Sequence, residues 1–356
     1  MAWLIGLLLF IGVPVVVGRA IRFGTLDEGK TMEFFGDSFT MGSNASSGNG
    51  YVSKLCQALG ETAANYAVSG TGAYQSCKNS FAAVANNGQK LSWLSGFNDL
   101  RRGGASPKTI AKIKGCLRSF LCNAFSATQV PASSCALVGV WSEMNHGGIG
   151  DRASAYLGGS GRFSYDPNAT LSCNFSGTNV VIATWGSDEV INHLGSFKVT
   201  IDGANVGTFD FKNKADGIGD GYYDNSRTQN ALVIKDLSTG PHSLTIAPIG
   251  DGAVMLDYIG TLLTAAQSPL VVVGDIPRMN AAGYAQAPNL ANDAVIDAGN
   301  VALQEVFAEF PGYPIKSAKT NSYYSLVNGV SSDNIHPNDV GHLQIMAAFI
   351  SSIFLH

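Results

Sequence analysis

The chain has 356 residues, of which 46% are hydrophobic and 13% charged, with 42 glycines and a formal net charge of −4. That is length enough for two domains and apolar material enough for a packed core, and the glycine content points to many turns rather than a helical bundle. The acidic balance excludes the basic footprint of a nucleic-acid binder, and no run of Lys or Arg suits attachment to an anionic membrane.

Leu4 to Val17 is almost wholly apolar, broken by glycines and Pro14. It falls short of the ~20 residues of a spanning helix. Gly18 and Ala20 flank Arg19 as a small-x-small cleavage site, so residues 1–20 are expected to be an export signal that is removed. A buried strand or short helix, and an uncleaved membrane anchor, are the alternatives. The expected location is secreted or extracellular, a virion included, with no stable membrane partner once the leader is cut.

Met32 to Phe35 (MEFF) is a short apolar and aromatic run that suits a buried strand, and it delivers Gly36-Asp37-Ser38-Phe39 into a tight turn. Gly36 is expected to take backbone angles that a side chain would resist, throwing Ser38 clear of the strand end. Residues 41–50 (MGSNASSGNG) form a small polar loop that could wall a pocket. Tyr51–Leu59 reads as a helix with Gly60 as its C-terminal cap. A strand over Ala64–Val68, a helical region near Ser80–Ala85 and a strand over Leu91–Leu94 follow, the last running into Gly96-Phe97-Asn98-Asp99. Pro107–Phe125 is an amphipathic helix with Pro107 in its first turn.

From about Ser126 to Thr264 helical periodicity disappears. Short alternating runs replace it at Gly161–Tyr165, Asn179–Trp185, Phe197–Ile201, Val206–Phe211, Ala231–Ile234, His242–Ile246 and Val254–Ile259, separated by turn residues such as Asp202-Gly203. This is the pattern of an antiparallel β-sandwich. The apolar run Pro269–Gly274 then suits a central parallel strand, and helices around Ala291–Phe307 and Asn338–Ile353 bracket Asp333-Asn334-Ile335-His336. The fold class expected is α/β: a parallel sheet with helices on both faces, plus an inserted sandwich.

A serine at a strand end is a weak nucleophile until a base takes its proton, and an acid and a histidine three residues apart can share one loop to supply that base. A lone Ser is ordinarily a cap or turn residue, and a lone His a satisfied core or surface group. Here four blocks stand in order: Gly36-Asp37-Ser38, the glycine Gly70 closing the second strand, Gly96-Phe97-Asn98-Asp99, and Asp333-Asn334-Ile335-His336. In these blocks the chain resembles the SGNH/GDSL hydrolase family. The resemblance implies a flavodoxin-like three-layer fold, with Ser38 as nucleophile, His336 as general base and Asp333 as its orienting partner. It also implies an oxyanion hole from the Ser38 and Gly70 N–H groups and the Asn98 amide, and no cofactor. Asp37 and Asp99 are expected to hold loops by hydrogen bonding rather than to act as acids.

The domain plan that results is a leader over 1–20, a hydrolase domain in two parts over 30–127 and 266–356, and an inserted module over 128–265. By its GPHSLTI…MLDYIGTL ending and its strand spacing, the insert resembles the jelly-roll carbohydrate-binding modules fused to polysaccharide-acting esterases. Trp141, Tyr222 and Tyr223 are candidate glycan-stacking residues there, with binding and loop packing about even for the two tyrosines. Trp185, inside a strand, is expected to be core. Asp216, Asp220 and Asp224 recur every four residues, unlike an EF-hand loop, and His146, His193, His242, His342 and His356 are given no catalytic part.

The six cysteines, Cys56, Cys77, Cys116, Cys122, Cys135 and Cys173, are an even number that fits export, but their spacing leaves any pairing open. Cys116 and Cys122 lie on different faces of one helix and are not expected to bond each other. No cluster has metal-ligand spacing, so no metal is expected. Sequons at Asn44, Asn168 and Asn174 decide nothing. The function expected is a serine esterase acting on acyl, chiefly acetyl, esters of a polysaccharide, with an acylated carbohydrate or small ester as its partner. The alternatives are a lipase or general carboxylesterase with the same triad, and a glycan-binding surface or phage-tail protein.

Overall fold

The computed structural model describes residues 31–82, 90–144, 161–187, 195–210 and 227–354. The chain divides into two compact units. The described residues of Met1–Asn79, Ala85–Ala105 and Pro269–His356 form one, and those of Ser80–Val84 and Ser106–Ser268 the other.

In chain order, β1 (Thr31–Gly36) leads into the four-residue α1 (Ser38–Met41), then α2 (Tyr51–Leu59), β2 (Thr62–Asn65), α3 (Ala73–Ala82), β3 (Lys90–Leu94) and α4 (Phe97–Gly103). The helix α5 (Pro107–Ala124) precedes a run of strands: β4 (Ser126–Pro131), β5 (Ala136–Val138), β6 (Ser142–Met144), β7 (Gly161–Ser164), β8 (Thr170–Ser176) and β9 (Val180–Ser187). These are followed by β10 (Ser196–Ile201), β11 (Ala204–Asp210), β12 (Arg227–Ile234), β13 (Pro241–Pro248), β14 (Val254–Leu256) and β15 (Tyr258–Leu262). The chain closes with β16 (Leu270–Gly274), α6 (Ala281–Ala285), α7 (Asp293–Ala308), β17 (Ile315–Ala318), α8 (Thr320–Tyr323) and α9 (Asp339–Phe354).

The first unit is built on a parallel five-stranded sheet in the order β17-β16-β3-β1-β2. Its inner strands are near-continuous apolar runs, as strands covered on both faces require. Met32, Phe34 and Phe35 of β1, Trp93 of β3 and Val271 to Val273 of β16 are all buried. Phe34 sits opposite Ser92 on one side and Asn65 on the other, which brings the ends of β1, β2 and β3 to one rim. The helix α9 packs on α2, with Tyr51 and Phe349 stacked at 5.2 Å, and on β16 and β17.

The edge strand β2 starts and stops earlier than Ala64–Val68, and its side chains are largely exposed. Its pairing nevertheless continues as isolated bonds, Tyr66 N–H to Phe34 O (2.8 Å) and Val68 N–H to Gly36 O (3.0 Å). The helix expected near Ser80–Ala85 is α3, which begins at Ala73; its first two turns, AYQSCKNS, are too mixed in polarity for the apolar run at its end to betray them. The strand β17 (IKSA) is too short and polar to register as a pattern.

In the second unit two antiparallel sheets, β11-β10-β13-β8-β5 and β12-β9-β15-β4, share one core, with β14-β7-β6 as a small third sheet. Leu171, Phe197, Val199, Leu244 and Ile246 from one face meet Val180, Ile182 and Ile259 from the other. Burial alternates along β13 as period-two patterning demands, and the β10–β11 hairpin turns on Asp202 (φ 52°) and Gly203 (φ 79°), as a two-residue primed turn requires.

The run Val254–Ile259 is not one strand. At Asp257, whose N–H and C=O bond Ala183 O and Ala132 N–H (2.8 Å each), the chain passes from the small sheet to the sandwich. The helix α5 packs against β12: a side chain at Gly115 would meet Gln229 O at 2.6 Å, and Arg118 Nη1 donates to Asn230 Oδ1 at 2.6 Å. Its amphipathic pattern shows that one face is buried, not which partner buries it. Among the described residues no helix is long and apolar enough to cross a membrane. The leader over 1–20, Tyr222, Tyr223, Asp216, Asp220, Asp224, His146, His193 and His356 lie outside the described residues, as does the side chain of Trp185.

Candidate active site

At the end of β1, Gly36 is required by proximity rather than by an unusual backbone angle. It is not among the positive-φ glycines; instead a β-carbon there would collide with Thr40 Oγ1 and lie 2.5 Å from Leu94 O. This corrects the expectation drawn from the sequence: the strand end must be bare because the next turn folds back over it. Asp37 caps that turn, accepting the Phe39 N–H on Oδ1 (3.1 Å), while its carbonyl accepts the Met41 N–H (2.9 Å). Gly42, left-handed at φ 83°, closes α1 after one turn. Ser38 is thus the first residue of a locked turn, with Phe39 packed edge-on against Phe97 at 5.1 Å.

Across from it, the segment from Ser331 to His336 closes on itself through the Ser331 N–H to His336 O bond (2.8 Å), with Asn334 left-handed at φ 63°. Asp333 Oδ1 accepts the N–H groups of Ile335 and His336 (2.9 Å each) and the Ser331 hydroxyl (2.7 Å). Asp333 Oδ2 lies 2.6 Å from His336 Nδ1, and His336 Nε2 lies 2.8 Å from Ser38 Oγ. With the carboxylate facing it, Nδ1 carries the ring proton and Nε2 is left to accept the serine hydroxyl. Partial burial alone would raise the Asp333 carboxyl. The hydrogen bonds from His336, Ile335 and Ser331 outweigh it and hold the group well below the usual carboxylate range.

One further donor on Asp333 was not foreseen. Asn44 Nδ2 reaches Asp333 Oδ2 at 2.6 Å and Ser331 Oγ at 2.9 Å. Asn44 belongs to the glycine-rich 41–50 loop, and that loop is fastened to the start of α9. Ser46 N–H donates to Asp339 Oδ1 (2.8 Å), Asn49 Nδ2 donates to Asp339 Oδ2 (3.0 Å), and His342 Nε2 meets Ser43 O (3.2 Å). His342 is buried, which depresses its pKa, and it serves the framework rather than the site.

Two loops beyond the neighbouring strands supply the remaining predicted residues. Gly70 is left-handed (φ 76°) and its carbonyl accepts Arg102 Nη2 at 2.7 Å. Buried Asn98, in the first turn of α4, donates from Nδ2 to Thr71 O at 2.9 Å, tying its loop to that of Gly70. Asp99 Oδ2 accepts the Ala73 N–H at 2.7 Å, and Gly72 must be bare to admit that carboxylate. Asp37 and Asp99 therefore hold loops. Burial above all, with Asp99 adding repulsion, pushes the Asp37 carboxyl up to about 7 against the opposing Phe39 hydrogen bond. Beside the Asp333 loop lies a depression of about 800 Å³ lined by Met279, Tyr284, Asn292 and Leu326, among others. Another lining residue, Asn280, bonds Asn334 Oδ1 at 3.1 Å.

In the sandwich, Trp141 is half-buried against the core and donates its indole N–H to Thr170 O at 3.0 Å. His242 is held between Asp202 Oδ2 (2.6 Å) and Ser238 O (2.8 Å).

No protein-family model matches the chain, and no curated protein sequence does. Among solved structures, a two-domain esterase active on acetylated mannans, crystallised with mannopentaose, aligns over 66% of this chain and 91% of its own at 9% identity and a TM-score of 0.36. A family 35 carbohydrate-binding module from Clostridium thermocellum aligns over 38% and 97% at 14% identity and a TM-score of 0.27. An exo-beta-1,3-galactanase from Phanerochaete chrysosporium aligns over 38% of this chain at 16% identity and a TM-score of 0.27, and this chain spans only 29% of its length. Likenesses this slight assign neither family nor substrate.

Proposed function

We propose that the chain is a serine esterase of the SGNH/GDSL kind that removes acyl groups, chiefly acetyl, from a polysaccharide. The observation that carries this reading is the continuous hydrogen-bond chain Ser38 Oγ–His336 Nε2, His336 Nδ1–Asp333 Oδ2, made by residues nearly 300 positions apart in sequence and closed at both ends by their own loops. Ser38 attacks the ester carbonyl while His336 takes its proton; Asp333 keeps the imidazole in the required tautomer and stabilises the imidazolium. The Ser38 N–H, in the first turn of α1, has no intrahelical partner. With the Gly70 N–H and the Asn98 amide it receives the charge that develops on the carbonyl oxygen. His336 then protonates the departing sugar hydroxyl, and a water that it activates hydrolyses the acyl-enzyme.

The polysaccharide assignment rests on the β-sandwich carried in the same chain and on its resemblance in sequence to carbohydrate-binding modules. On this reading the second compact unit, helix α5 together with the sandwich at 128–265, is an insertion into a hydrolase domain built from the first unit, and the protein is exported after loss of residues 1–20. A general carboxylesterase is the second reading, favoured by the apolar share of the depression at Met279, Tyr284 and Leu326. Acetate release from acetylated xylan, compared with hydrolysis of p-nitrophenyl esters of rising chain length, separates the two. Preference for acetyl on both substrate types, abolished in Ser38→Ala, is expected; a preference for long acyl chains would overturn the deacetylase reading.

A further inference from the structure

The strands β5 and β8 run antiparallel with Ala136 opposite Ser172, Leu137 opposite Leu171 and Val138 opposite Thr170. One step further along the same register, Cys135 faces Cys173. The Cys135 N–H is directed to Ala132 O (3.3 Å), so the two cysteines do not form a doubly hydrogen-bonded ladder pair. Non-bonded cross-strand pairs bring their α-carbons to about 4.5 Å, within the span a disulfide bridges. Both side chains are half-buried and pack on the same hydrophobic cluster, hence on one face of the sheet. The Cys135 thiol donates to Pro131 O (3.7 Å) and the Cys173 thiol to Asn174 O (3.6 Å), and the two sulfurs are near enough to shift each other's ionisation.

We propose that Cys135 and Cys173 are an oxidation site, the two ends of a disulfide that ties the edge strand β5 to the body of the sandwich. The sequence leaves the pairing of six cysteines open; the β5–β8 register selects this pair. One of the two thiolates attacks a small-molecule disulfide such as glutathione disulfide, releasing one thiolate of that oxidant. The other cysteine loses its proton to solvent and attacks the protein sulfur of the mixed disulfide, releasing the second. Two protein S–H bonds are lost, one S–S bond forms, and the oxidant is reduced to two thiols. The covalent tie closes the segment from 135 to 173, constraining the unfolded chain and anchoring an edge strand whose Leu137 and Val138 are exposed.

The test takes the full chain through glutathione disulfide, blocks remaining thiols with N-ethylmaleimide without reduction, and maps the peptides by mass spectrometry. A peptide pair joined through Cys135 and Cys173, lighter by two hydrogens, is expected. The oxidised chain should melt about 4–10 °C above the dithiothreitol-treated one, a difference lost in Cys135→Ser and in Cys173→Ser but kept in Cys56→Ser. Should those variants fail to fold, the peptide map of the parent decides alone. Maleimide on both cysteines after oxidation, or either one joined to a different cysteine, would overturn the proposal.

Discussion

The two units are stabilised in different ways. Among the described residues the sandwich rests on an apolar cluster fed by both of its main sheets, in which Phe197, Leu244 and Ile259 are buried. At the rim of the parallel sheet the ordering is polar: Asp37, Asp99, Asp333 and Asp339 each accept backbone N–H groups and so fix the loops that surround Ser38. Apolar packing tolerates volume-conserving change, whereas a directed polar network loses its function when one atom is displaced. Substitutions in the rim should therefore act on turnover, and substitutions in the sandwich core on stability.

The largest effect is expected from Asp333→Asn. It should lower kcat/KM on p-nitrophenyl acetate by about 10³–10⁴-fold, by leaving the imidazole in the wrong tautomer, with little change in melting temperature. A loss below tenfold would show that His336 does not depend on this carboxylate. Leu244→Ala, in the sandwich core, should cost about 2–5 kcal/mol in the unfolding of its unit while kcat on the same small ester stays within twofold. A matching fall in kcat would erase the contrast between the units.

Asn44→Ala removes one donor from Asp333 and should reduce kcat/KM by about tenfold or less, with KM nearly unchanged. Removal of this partner without any kinetic consequence would show that the 41–50 loop is only scaffold. The smallest effect is one of pH. Burial raises the Asp37 carboxyl to about 7 in the folded chain, from an ordinary value of 3.8. Between those values the folded state keeps a proton that the unfolded chain has lost, so this group reduces stability as pH rises from about 4 to 7. Asp37→Asn keeps an acceptor for the Phe39 N–H and does not titrate. Its melting temperature relative to the parent should therefore climb across that window and level off above it; a constant difference would contradict the assignment.

The parts of the site that were legible in the sequence are those written in short range. Gly36-Asp37-Ser38 and Asp333-Asn334-Ile335-His336 carry their own loop geometry within four residues, and helix α2 announces its end through Gly60. Asn44 carried no such signal, since its contact with Asp333 joins residues 289 apart and its local setting is a polar loop with a sequon. The reason for Gly36 lay with Thr40 and Leu94, which only the folded sheet brings near. In the sandwich the alternating runs marked most strands, but Thr170–Ser176 and Ser126–Pro131 escaped because polar residues interrupt them. The division of Val254–Ile259 at Asp257 depends on partners in two different sheets.

The most direct measurement is covalent labelling of the intact chain with a fluorophosphonate, followed by intact mass and peptide mapping. One adduct per chain, located on Ser38, is expected, with labelling of the His336→Ala variant slower by about 10³-fold or more because the hydroxyl keeps its proton. An unlabelled parent, or an adduct on another serine, would contradict the assignment of Ser38 as nucleophile.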